Sequence, residues 1–124
     1  MKILAPISLG ELIDKITILE LKLEYIRDQT KLINVQHELD ELTAILNKLI
    51  IQTPLTEQRQ SLLAVNRELW HIENFKRECE QTGRFDRAFT QAAREVYLKN
   101  DLRAKIKREI NTATGSSIVE EKSY

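Results

Sequence analysis

Apolar residues recur along this chain in three stripes at steps of three and four. Leu9, Leu12, Ile16, Leu19, Leu23 and Ile26 form the first, and Leu32, Val35, Leu39, Leu42, Leu46 and Leu49 the second. Leu62, Val65, Leu69 and Ile72 form the third. This spacing puts each set on one helical face, and a face that apolar needs another helix over it. The pattern predicts an all-α protein, an antiparallel four- or five-helix bundle with long coiled-coil-like helices and an extended C-terminal tail.

The polar breaks set expected boundaries. Met1 to Ile7 alternates weakly and contains Pro6, which suits an extended arm over residues 1–8. Ser8 with Glu11 three residues later reads as a capping box, so helix one is expected from Leu9 to Arg27. Ile13, Ile18, Leu21 and Tyr25 lie off its main seam, which makes it apolar on more than one face. Helix two is expected from Lys31 to Ile51. Thr53 reads as the cap of helix three and Pro54 as its first turn, with Gly83 closing it after Gln81. Asp86 reads as the cap of a fourth helix carrying Phe85, Phe89, Ala92, Ala93, Val96 and Tyr97 toward the others. Asn100 and Asp101 interrupt that stripe, and a bend is expected there before helical structure ends near Thr114. Residues 9–114 thus form the bundle and 115–124 the tail of a single domain.

Composition narrows the function classes. The 124 residues carry 19 Lys and Arg against 19 Asp and Glu, so no overall field draws a phosphate backbone or an anionic lipid surface. Nucleic acid is not the expected partner, and no apolar run reaches membrane-spanning length. The opening Met-Lys-Ile-Leu-Ala-Pro-Ile-Ser has no signal-peptide pattern, so a cytoplasmic location is expected. Cys79 extends the third stripe and is expected to be a buried thiol. His37 and His71 have no second ligand at metal-binding spacing, and no glycine lies in a phosphate-binding loop, so neither metal nor cofactor is expected.

Several stretches carry a resemblance: SLGELIDKITILELKLEYI, KLINVQHEL, LLAVNRELWHIENFKRECE, VYLKNDLRAKIKREIN and the ending GSSIVEEKSY. Together they resemble a small bacterial and phage family catalogued only as a domain of unknown function. No activity is attached to that family. The resemblance implies only a process, surface polysaccharide synthesis in bacterial relatives. The positions that match the family's recurring polar and aromatic residues are Asp14, Lys15, Asn34, Asn66, Trp70, Tyr97, Asn100, Asp101, Arg103, Lys107, Glu120, Glu121, Lys122 and Tyr124.

Each of these has an ordinary structural role to weigh. Asp14 and Lys15 sit at a seam edge, where charged pairs more often fix register between helices than act as acid and base. Trp70 is read as a core anchor ahead of an exposed platform for a sugar or protein. Lys99, Arg103, Lys105, Lys107 and Arg108 make a basic strip interrupted only by Asp101. That strip is placed to receive Glu120 and Glu121 from its own chain or from a second copy. Tyr124 joins a ring to a terminal carboxylate, a combination that partner pockets capture.

The first functional expectation is therefore a non-enzymatic interaction or assembly module, a homodimer, docking through Arg103, Lys107, Glu120, Glu121, Lys122 and Tyr124. The second is a small enzyme or metabolite-binding protein, because Leu-Ile-Asp-Lys-Ile in a long first helix resembles the opening helix of chorismate mutase. Asp14, Lys15, Asn66, Trp70, Tyr97, Asn100 and Asp101 would then line the polar site.

Overall fold

A computed structural model describes residues 1–124 as four α-helices with no strand: α1 Leu9–Tyr25, α2 Gln29–Asn47, α3 Thr56–Thr82 and α4 Arg87–Thr114. Residues 1–7 run exposed and without regular structure into Ser8. The Ser8 hydroxyl accepts from the Glu11 N–H at 3.1 Å, as a cap should. The capping box is not completed, because Glu11 turns its carboxylate to Lys107 on α4.

Several boundaries differ from the expected ones for local reasons. Asp28 caps α2, accepting from the N–H groups of Thr30 and Lys31 at 2.9 and 3.2 Å. A capping residue needs extended backbone, so α1 stops at Tyr25 rather than Arg27, and α2 starts at Gln29 rather than Lys31. α2 ends at Asn47, not Ile51, and Leu49 and Ile50 belong to an exposed connection. Thr53 does not cap α3. Its hydroxyl donates to the Ala113 carbonyl at 3.3 Å, tying the connection to the end of α4, and the helix starts at Thr56 without a side-chain cap.

α3 closes on Gly83, where φ of 67° costs a residue without Cβ nothing. Asp86 then caps α4 through the Phe89 N–H at 3.2 Å. The bend expected at Asn100 and Asp101 is absent, and α4 runs unbroken for 28 residues. Both side chains leave the helix backbone alone: Asn100 accepts from Arg103 and Asp101 from Lys122.

α1 touches all three other helices, α3 packs on α4, and α2 meets only α1. The largest core cluster joins Ile13, Leu62, Val65, Ile106 and Ile110, with Leu9, Leu46 and Leu55 against it. Each such side chain contributes roughly 1.5–3 kcal/mol through removal from water. Because α1 is enclosed on three sides, the off-seam Ile13 and Leu21 are buried as deeply as Leu12 and Ile16. Cys79 is buried and unpaired.

Candidate functional site

Gly10 lets the start of α1 come against α4. A Cβ there would lie 2.6 Å from the Lys107 carbonyl oxygen, and the Gly10 N–H donates to Asn111 Oδ1 at 2.7 Å. That approach brings two acidic residues of α1 onto two basic residues of α4.

Asp14 has no exposure at all. A carboxylate so placed needs a partner for every lone pair it turns inward. Arg103 supplies a two-point contact, Nε donating to Oδ1 at 2.9 Å and Nη2 to Oδ2. Asn66 on α3 donates Nδ2 to Asp14 Oδ1 at 2.8 Å and to Thr17 Oγ1 at 3.0 Å. Thr17 in turn donates to the Asp14 backbone carbonyl at 2.7 Å. The hydrogen bond to Asp14 raises the Arg103 pKa above the ordinary guanidinium value despite burial, so the guanidinium is permanently charged.

One turn along α4, Lys107 donates to Glu11 at 2.6 Å and to Glu120 of the tail at 2.7 Å. Burial works against its charge, but the two carboxylates outweigh that cost and its pKa is raised. Two further pairs hold the tail. Arg108 donates to both oxygens of Glu121 at 3.1 and 3.2 Å, and Lys122 donates to Asp101 at 2.8 Å. Arg108 holds the Glu121 carboxyl below its ordinary range. The tail therefore folds back on its own α4 as extended chain, without forming a strand. A cleft of about 460 Å³ lies between tail and helix, lined among others by Tyr97, Asn100, Arg103, Lys107, Lys122 and Tyr124.

Most residues singled out in the sequence meet here. Asn100, Asp101, Arg103, Lys107, Glu120, Lys122, Tyr97 and Tyr124 share the tail-covered face, with Asp14 and Asn66 behind it. Trp70 does not join the core. It is half-buried in a second cleft on the other side of Arg103, stacked on Tyr25 at 5.5 Å, because Tyr25 ends α1 beside it. Lys15 points outward and reaches only Glu11, at 3.7 Å. Asn34 is exposed on α2, and Glu121 lies at the outer edge of the tail. Reading the sequence missed Thr17, Asn111 and the inward role of Glu11. The signal was there for Glu11: acids three apart, Glu11 and Asp14, match bases four apart, Arg103 and Lys107.

Chemically the centre is saturated. Both Asp14 oxygens accept from protein, and Arg103, Lys107 and Lys122 each carry a carboxylate from the chain. His71 shares a hydrogen bond with the Tyr25 hydroxyl at 3.2 Å. No group of three or more His, Cys, Asp or Glu is placed to hold a metal ion, and no helix is long and apolar enough to cross a membrane.

Fold and site together define a four-helix protein whose first and last helices are locked by part-buried ion pairs and latched by a C-terminal tail. The chain belongs to DUF6165, a family of unknown function that matches residues 1–124. No curated protein and no solved structure matches it.

Proposed function

We propose that this chain is a non-enzymatic interaction module whose docking elements are the basic face of α4 and the tail. The observation that carries the reading is the tail's attachment. It rests on three ion pairs, each with at least one solvent-exposed partner, so water and salt weaken them all. Lys107 keeps Glu11 when Glu120 leaves, so release strands no buried charge. An acidic segment of a partner then replaces the tail at little cost, or the tail itself docks elsewhere.

The test compares capture from native cells by the full-length chain, by a chain ending at Gly115 and by E120Q/E121Q. A protein held by the first and lost from both variants means that the tail itself docks; one captured more strongly by both variants means that an acidic segment takes the tail's place; identical sets from all three sink the reading. Surface-polysaccharide proteins are the first place to look, as the resemblance implies, and the cytoplasm the first compartment.

Three finer statements belong to the same reading. The chain acts as one helical domain. Its helices form an antiparallel, coiled-coil-like bundle, supported by pairs that run in opposite sense along α1 and α4: Gly10 with Asn111, Glu11 with Lys107, Asp14 with Arg103. It is a homodimer, supported by Ile33 and Ile45 on α2, which are 70% and 46% exposed. A monomer in light scattering at micromolar concentration would remove the dimer.

The enzyme or metabolite-binding alternative of chorismate-mutase-like architecture keeps one supporting observation. Arg103, Lys107 and Lys122 converge on one cleft beside Asn100. Their pairing with Asp14, Glu11 and Asp101 ranks it second, since a dianion site needs cations that are free to bind.

A further inference from the structure

The cleft on the far side of Arg103 differs from the tail-covered one in a way that points to a ligand. It holds about 460 Å³ between α1, α3 and α4, within the range of about 300–1,000 Å³ usual for small-molecule sites. Ile18, Leu21, Leu69 and the indole of Trp70 give it an apolar wall.

Its polar groups are unusually free. Asn66 is 5% exposed, and its Nδ2 is committed to Asp14 and Thr17. Its Oδ1 accepts nothing from the protein and is not sealed from solvent, and Asn66 lines this cleft. An unpaired amide oxygen on a side chain fixed so firmly at its other end is a preformed acceptor for a ligand donor. Asn100 uses its Oδ1 on Arg103 and leaves Nδ2 available. The Asn74 side chain makes no hydrogen bond within the chain.

The charges leave a remainder of one. Arg103 is answered by Asp14, and Glu73 turns to Lys76 at 3.4 Å instead of to Arg77 one turn away. Arg77 lines the cleft and forms no ion pair. A guanidinium in that position suits a planar anion, which it meets with two parallel N–H groups.

We propose that this cleft binds a small organic carboxylate, a monoanion on a flat or hydroxylated body. Arg77 holds the carboxylate, Asn66 Oδ1 and Asn100 Nδ2 take a hydroxyl or amide of the body, and Trp70 covers its apolar face. The site is independent of the docking function proposed for the tail.

Trp70 is the chain's only tryptophan, so its fluorescence and its indole N–H resonance both report on the cleft. The full chain is titrated with benzoate and with D-glucuronate, and in parallel with the neutral counterparts benzamide and D-glucose. The expected result is saturation by at least one carboxylate below about 10 mM, with no saturation by its neutral counterpart. Which of the two saturates distinguishes a flat body from a hydroxylated one. Arg77→Gln weakens that binding tenfold or more, whereas Arg94→Gln, an exposed arginine outside the cleft, leaves it unchanged. Arg77 is exposed, so a fold defect is not expected, and far-UV circular dichroism checks this. No saturation by either carboxylate, equal response to the neutral compounds, or unchanged binding in Arg77→Gln overturns the site.

Discussion

α1 and α2 carry apolar stripes of similar density, yet α1 buries eight of its 17 residues and α2 only Val35 of its 19. The difference lies in the neighbours. α1 is enclosed by three helices, while α2 leans on α1 alone. Enclosure also explains why α1 carries a sealed carboxylate and α2 none: a buried charge is tolerable only where two other helices bring it a guanidinium and an amide. A stripe gives the direction in which a helix buries itself; the number of surrounding helices decides how far.

Substitutions can break that contrast. Arg103→Met leaves Asp14 charged, sealed and without its cation, and should cost about 3–5 kcal/mol in chemical denaturation. Gly10→Ala forces a methyl group onto the Lys107 carbonyl, which is backbone and cannot swing aside, for about 1–3 kcal/mol by the same measurement. Val35→Ala, the one buried truncation available on α2, should cost about 1 kcal/mol. If it matched Arg103→Met, α2 would be as enclosed as α1 and the contrast would be wrong. Ile33→Ala should fall within about 0.5 kcal/mol in an isolated chain. A larger, concentration-dependent loss would show a second copy covering α2.

The smallest effect is on pH response, and it separates the latch from the lock. Glu121 is held below its ordinary 4.5, so its contribution is present above that value and is lost as pH falls through the lower folded value. Lys107 is raised above its ordinary 10.5, so its contribution is complete below that value and is lost as pH rises through the folded one. Between these limits the Ile118 methyl resonances, on a tail side chain that does not itself titrate, should stay constant. They should move on acidification below pH 4.5 while the helical circular dichroism is still intact. Simultaneous loss of both would mean that the tail is part of the core.

Much of this architecture is legible in the sequence because it follows from periodicity and capping chemistry. The start of α1 at Leu9, the closure of α3 at Gly83 and the cap at Asp86 each depend on residues within one turn. The misreadings share a cause. Thr53, Asn100 and Asp101 carry side chains able to cap a helix, and each is claimed instead by a group 3 to 60 positions away. Glu11 leaves its box for Lys107 in the same way. Local rules name what a polar side chain can bind, and the tertiary fold decides which offer it takes. For the same reason the residues of the site were visible, while their mutual neutralisation, which sets their chemistry, was not.

The bonds that hold α1 are also the longest in sequence: Gly10 to Asn111, Glu11 to Lys107 and Asp14 to Arg103 span 101, 96 and 89 positions. During synthesis from the N-terminus, α1 emerges first and waits for nearly the whole remaining chain, about 5–20 s at ordinary elongation rates. Until α3 emerges, Ile13, Ile16 and Leu21 have only α2 to lean on, and the α4 side of α1 stays open longer still. The earliest of the four helices thus completes its contacts only when the fourth arrives, and a nascent chain stalled before Arg103 presents an unfinished apolar surface to whatever waits at the ribosome exit.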